Sequence, residues 1–151
     1  ALFGKKKCDV LLTPHVKEFS RLSGKGVEEI VEEGLTTPCG FAKTYAVSVL
    51  LKNAATIITD GERIALNTTG NSGLAKGGSG DVLSGVIAGL CAQGLSAFDG
   101  GRLGAYLVGR AAEIAAQTIG VRAMTATDVV GHLGAAFLLA EAAERAETTD
   151  G

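Results

Sequence analysis

Tryptophan is absent from this 151-residue chain, aromatic residues make up 5% of it, and it holds only two prolines and three cysteines. With so little proline, and no Ser/Pro-rich stretch dividing the sequence, one domain is expected over residues 1–151, within the usual ~100–150 residues. Cys8, Cys39 and Cys91 are odd in number, widely spaced and free of any CxxC, so they suggest neither a disulfide framework nor a zinc site. A reducing, cytoplasmic setting is expected. Excess charge of one sign is lacking as well: 14 basic against 16 acidic residues leave a net −2, too little to hold a polyanion, so no nucleic-acid partner is expected. Long hydrophobic runs are missing too. The longest uncharged stretch, Val82–Phe98, is broken by glycine, serine and glutamine and is too short for a comfortable membrane span. At the N-terminus, Ala1–Lys7 puts its charges after its few apolar residues, unlike a signal peptide, and begins without Met, as a processed or trimmed start would.

Glycine is what the chain has in excess: 22 residues, about twice the usual ~7%, with no G-X-Y period, so the surplus needs a local cause. Along the chain, Cys8–Thr13 reads as a buried strand stopped by Pro14. His15–Leu22 and Gly26–Leu35 read as helices, the second with Val27, Ile30 and Val31 on one face. Phe41–Ala46 continues in helix, and Val47–Leu51 and Ala55–Thr59 are strands. Asp60-Gly61 is a hairpin turn into a returning strand, Arg63–Asn67. Thr68–Gly80 holds five glycines in thirteen residues and is expected to be irregular. Beyond it, Val82–Gln93 reads as a helix buried on most faces, Ala97–Ile119 as one long helix or two joined near Gly100-Gly101, and a last helix starts near Thr127, capped by it or by Thr125. The tail, Glu147–Gly151, is expected to fray. Strands first and helices afterwards describe a layered α/β protein.

Three segments carry candidate chemistry. In the glycine-rich stretch a strand leads in and a helix leads out, which places the amides of Gly78, Ser79 and Gly80 at a helix N-terminus, where unsatisfied donors attract an anion. A carboxylate among such amides, Asp81, needs a task, such as accepting the proton of an attacking hydroxyl. The plainer alternative is a helix-start carboxylate beside a surface loop. Common phosphate motifs do not apply: a Walker A loop aligned on Lys76 would need Gly at Ala75 and Ser or Thr at Gly77, and a dinucleotide fingerprint fails at Leu83. The second segment, Thr13–Phe19, places His15 and Glu18 at a strand end, either facing a ligand crevice or, for Glu18, capping the next helix with His15 exposed. The third, Leu51–Thr56, presents Lys52 at a strand end, where a lone lysine is usually only solvated.

In order, these segments read TPHxxEF, VLLKxxxT and NxTGNxGxAxGGSGDVLSGxIAGLxAQG. Together they resemble the ADP- or ATP-dependent NAD(P)H-hydrate dehydratase family, which has a ribokinase-like fold: a layered α/β sandwich whose sheet is flanked by helices. The resemblance runs from about Val10 to the last helix. It implies that residues 1–151 are the C-terminal portion of one such domain, without its N-terminal part. The implied reaction is repair of hydrated NADH or NADPH: its hydroxyl is phosphorylated from ADP or ATP, with Mg2+, and phosphate is eliminated. Carried over by position, Asp81 is the base and contacts substrate, His15 touches the hydrated dinucleotide, and Gly78, Ser79 and Gly80 form the anion hole. Lys52, Asn53, Ala54, Ala55, Thr56 and Gly80 line the nucleotide, and Asn67 and Asn71 fix the loop. No protein metal ligand is implied, and a homo-oligomer is expected. The chain departs from the family at Val16-Lys17, where PG is commoner, and at Asn53, where the family has glycine. A ribokinase-like kinase of a sugar or vitamin, and a truncated nucleotide-binding module without catalysis, are the alternatives.

Overall fold

The computed structural model describes residues 6–149, so expectations for the start at Ala1–Lys5 and for the tail residues Asp150 and Gly151 lie outside the described residues. The chain forms two compact units, Ala1–Thr68 with Ala88–Arg102, and Thr69–Ile87 with Leu103–Gly151.

The first unit is built on a four-stranded sheet in the order β1 (Leu11–Leu12), β2 (Ser48–Leu51), β3 (Thr56–Thr59), β4 (Ile64–Asn67). β1 and β2 are parallel, and the remaining pairs are antiparallel. A parallel neighbour requires a crossover. Here it is made by α1 (Val16–Ser23), α2 (Val27–Glu33) and α3 (Thr36–Tyr45). Register sorts the side chains: Leu12 pairs with Val49, Val49 with Thr59, and Leu51 with Ile57, so these share one face. Against that face pack Phe19, Ile30, Phe41 and Ala42 of the three helices, Phe19 meeting Phe41 edge-on at 5.3 Å between ring centres. Leu11, Leu50 and Ile58 lie on the opposite face, where Gly101 of α5 (Ala97–Ile119) comes so near that a Cβ would meet Leu11 Cδ2 at 3.2 Å. All four residues of β2 are buried, which accounts for its consecutive apolar residues Val49, Leu50 and Leu51. At the β3–β4 turn, Asp60 Oδ1 accepts from the N–H of Glu62 and Arg63. Gly61 adopts φ +95° there, with Lys43 N 2.7 Å from where a Cβ would stand, so only glycine fits.

The second unit is helical. Leu83 and Ile87 of α4 (Ser79–Ala92) are buried, as are Leu107, Val108, Ala111, Ala112 and Ala115 of α5, and Val129 and Ala136 of α6 (Ala126–Thr149). Two expectations change. β1 is two residues long, not six, because its ladder with β2 begins only at the Leu11–Ser48 pair. α4 is not buried on most faces: Leu83, Ile87 and Leu90 form one buried stripe, while Ser84, Gly85, Ala88 and Gly89 are exposed. Ala97–Ile119 is a single helix, and α6 runs through Glu147 to Thr149.

Candidate functional site

In the first unit, β1 and β2 run out at the same end of the sheet. His15 and Lys52 face each other there as an isolated parallel bridge, and the Lys52 N–H donates to Pro14 O at 2.9 Å. At that end β3 begins at Thr56, opposite Asn67, the last residue of β4. His15 is the N-cap of α1. Its Nδ1 accepts the Glu18 N–H at 3.1 Å, and Glu18 Oε2 accepts the His15 N–H at 2.8 Å, a reciprocal capping box. Lys52 Nζ stands 3.9 Å from Glu18 Oε2. The His15 backbone N–H, helped by the nearby charges of His15, Lys52 and Arg21, holds the Glu18 carboxyl below its usual value. Between β2 and β3, Asn53 Oδ1 accepts the Ala54 N–H at 2.9 Å, closing an exposed turn of Asn53, Ala54 and Ala55. His15, Glu18, Lys52, Thr56 and Asn67 are thus gathered at one sheet end, and the capping alternative for Glu18 is the one this geometry realises.

A cavity of about 390 Å³ opens at the other end, lined by Asp9, Ser48, Asp60, Arg63, Ser96 and Phe98 among others, and none of the sequence-predicted site residues borders it. Its guanidinium is already engaged: Arg63 lies 4.2 Å over the Phe98 ring and pairs with Asp60 at 2.8 Å and Asp99 at 3.5 Å.

The second unit holds the glycine-rich stretch. Thr69 Oγ1 donates to Tyr106 O at 3.2 Å, the Gly70 N–H donates to Glu113 Oε1 at 2.7 Å, and Asn71 Nδ2 donates to Ala112 O at 3.0 Å. Three successive residues of the loop are therefore stitched to α5. Asn71 Oδ1 also accepts the Gly73 N–H at 2.9 Å and caps a single 3-10 turn, Ser72–Leu74. Gly73 is pressed against the segment before α6, since a Cβ there would stand 2.5 Å from Met124 Cε and 3.0 Å from Val121 O. Gly78 then turns the chain at φ +90°, and α4 begins at Ser79. Among the described residues the N–H groups of Gly78 and Gly80 meet no acceptor, while that of Ser79 reaches Lys76 O at 3.4 Å. Asp81 is exposed in the first turn of α4, with its own N–H donating to Gly78 O at 3.1 Å. A left-handed glycine, open amides at a helix start and a carboxylate one residue on can receive an anion and take up a proton beside it. No group of three or more His, Cys, Asp and Glu side chains able to hold a metal ion occurs among the described residues.

Sequence reasoning missed Glu113 and the side chain of Lys76. Their partners are 43 and 45 to 48 residues away, and no local pattern encodes such contacts.

A family model described as NAD(P)H-hydrate dehydratase matches residues 2–134. The bifunctional NAD(P)H-hydrate repair enzyme Nnr of Moorella thermoacetica is 43% identical over 92% of this chain and 26% of its own length. Among solved structures, the ADP/ATP-dependent NAD(P)H-hydrate dehydratase of Bacillus subtilis, co-crystallized with ATP/Mg2+ and soaked with CoA, superimposes with a TM-score of 0.82. It is 30% identical, over 88% of this chain and 50% of that one. A ribokinase-like superfamily protein of Enterococcus faecalis matches at TM-score 0.71 and 31% identity, over 82% of this chain and 42% of its own. The fold is ribokinase-like, and the chain spans about a quarter of the bifunctional relative and half of the Bacillus enzyme.

Proposed function

The chain belongs to the NAD(P)H-hydrate dehydratase family, and from that premise we propose that the protein dehydrates hydrated NADH or NADPH at the expense of an adenine nucleotide. The observation that carries the reading is the turn at Gly78–Asp81, with open amides at the start of α4 and an exposed carboxylate beside them. Asp81 takes the proton of the substrate hydroxyl as its oxygen forms a bond to the terminal phosphorus and the bond from that phosphorus to the nucleotide breaks. Gly78, Ser79 and Gly80 offer N–H donors to the charge developing on the phosphoryl oxygens. The phosphorylated carbon then loses phosphate, a far better leaving group than hydroxide, with loss of a ring proton restoring the double bond. A divalent cation, when bound with the nucleotide, would neutralise phosphate charge and would be held chiefly by phosphate oxygens and water.

His15 contacts the hydrated dinucleotide, and Lys52 to Thr56 line the nucleotide, a reading supported by their meeting at one end of the sheet. A homo-oligomer in the cytoplasm completes the proposal. Exposed Val31, Leu66 and Leu138 support the first, and the free thiols of Cys8, Cys39 and Cys91 support the second. Incubation with hydrated NADH, ATP and Mg2+ tests the reading: NADH absorbance rises if it holds, and an absorbance that stays flat in the full-length protein overturns it.

A further inference from the structure

Lys76 stands two residues before the turn that receives the phosphoryl group, where a lysine would ordinarily be read as a phosphate contact. Its side chain goes elsewhere. Nζ donates to Arg122 O at 2.7 Å, Met124 O at 2.8 Å and Val121 O at 3.4 Å, three backbone carbonyls of the segment joining α5 to α6. No carboxylate shares the ammonium among the described residues: Asp128, the nearby acid, is spent on the Thr125 N–H at 2.7 Å and Thr125 Oγ1 at 2.6 Å. All three donors of the ammonium are matched by carbonyls, so the group is held as a tether. The same segment touches the loop twice more. Gly73 lies against Met124 and Val121, and a Cβ at Gly78 would meet Ala126 Cβ at 3.1 Å. Residues 73, 76 and 78 are thereby seated on residues 121–126, and of the three seats Lys76 alone is polar and charged.

We propose that Lys76 is a positioning residue for phosphoryl transfer, its ammonium pinning the 121–124 segment to the loop so that the amides of Gly78 to Gly80 and the Asp81 carboxylate keep the arrangement that receives the nucleotide phosphates. The inference rests on the function proposed above. A fixed donor array stabilises charge in the transition state only if it needs no reorganisation when charge develops, so loosening the tether acts on turnover and on nucleotide affinity together. It leaves the hydrated-dinucleotide KM unchanged.

The experiment compares wild type with Lys76→Ala and Lys76→Met in the full-length protein. It reads kcat, both KM values and direct binding of a fluorescent ATP analogue, with far-UV circular dichroism to report folding. Expected are a tenfold or greater fall in kcat and in nucleotide affinity, an unchanged dinucleotide KM, and saturable recovery of Lys76→Ala by n-propylammonium, which replaces the missing amine, but not by n-propanol. Retention of wild-type values within about twofold in a folded variant, or a loss that n-propylammonium does not restore, overturns the proposal. Should wild type bind the analogue but dehydrate nothing, the functional reading falls, and the binding and recovery measurements still decide whether Lys76 sets the turn.

Discussion

Glu18 has two tasks on one carboxylate: Oε2 caps α1 through the His15 N–H, and it stands 3.9 Å from Lys52 Nζ. That backbone hydrogen bond lowers its pKa below the usual 4.5, so the folded state holds the ionised form more tightly than the unfolded state does. The linked stability is present above that value and is lost as pH falls through the folded pKa. Asp128 behaves alike, its carboxylate held by Thr125 Oγ1 and N–H at the start of α6. Thermal melts across mildly to strongly acidic pH are therefore expected to show a falling Tm, and Glu18→Gln to flatten part of the fall while lowering Tm at neutral pH. An unchanged slope in that variant would contradict the assignment. His15 was legible in the sequence as a strand-end residue beside Glu18, but two roles remained open there. Only the geometry shows Nδ1 occupied by the Glu18 N–H, with Nε2 3.5 Å from Glu18 Oε1.

Elements were easier to read than their burial. β2, β3 and β4 fall within a residue of their expected limits because β-branched runs and the Asp60-Gly61 turn mark them, whereas β1 shrinks because pairing, not composition, sets its length. α4 misled for a different reason: glycine and alanine raise the apolar count without demanding burial, and the buried stripe is Leu83, Ile87 and Leu90 alone. The same distinction gives opposite signs for two glycines within helices. Propensity favours alanine over glycine by about 1 kcal/mol in a helix interior. At Gly131 of α6 nothing stands within 4 Å of a Cβ, so Gly131→Ala is expected to stabilise by about 0.5–1 kcal/mol in urea unfolding. At Gly109 of α5 a Cβ would stand 2.1 Å from Thr69 Oγ1 and 2.7 Å from Thr69 C. Backbone cannot yield as a flexible side chain does, so overpacking of about 1–3 kcal/mol outweighs propensity, and Gly109→Ala is expected to destabilise. The same close approach leaves Thr69 room to reach the Tyr106 carbonyl, so that substitution also strikes the loop that leads to Asp81.

At the scale of the whole molecule, the exposed apolar residues need explaining. In α6 the window Ala126–Ala143 has a mean hydropathy of 1.2 and is long and apolar enough to cross a membrane by length and composition, yet only 11% of it is buried. Leu138 is 64% exposed and Leu66 on β4 57%. Apolar surface of this kind drives association. Sedimentation velocity is expected to show concentration-dependent self-association that Leu138→Lys weakens, and a single monomeric boundary at all concentrations would contradict it. Half of a solved relative is matched, and the half present contains the glycine-rich stretch, its anchors on α5 and the carboxylate at the head of α4. The central claim is that this carboxylate accepts the proton when phosphate is transferred to hydrated NAD(P)H. It is tested most directly by counting products in the full-length protein with hydrated NADH, ATP and Mg2+. The account predicts one ADP released for each NADH restored, with both falling by about 10²–10⁴-fold in Asp81→Asn while the variant still binds ATP. NADH restored without ADP release, or at the wild-type rate by Asp81→Asn, would contradict it.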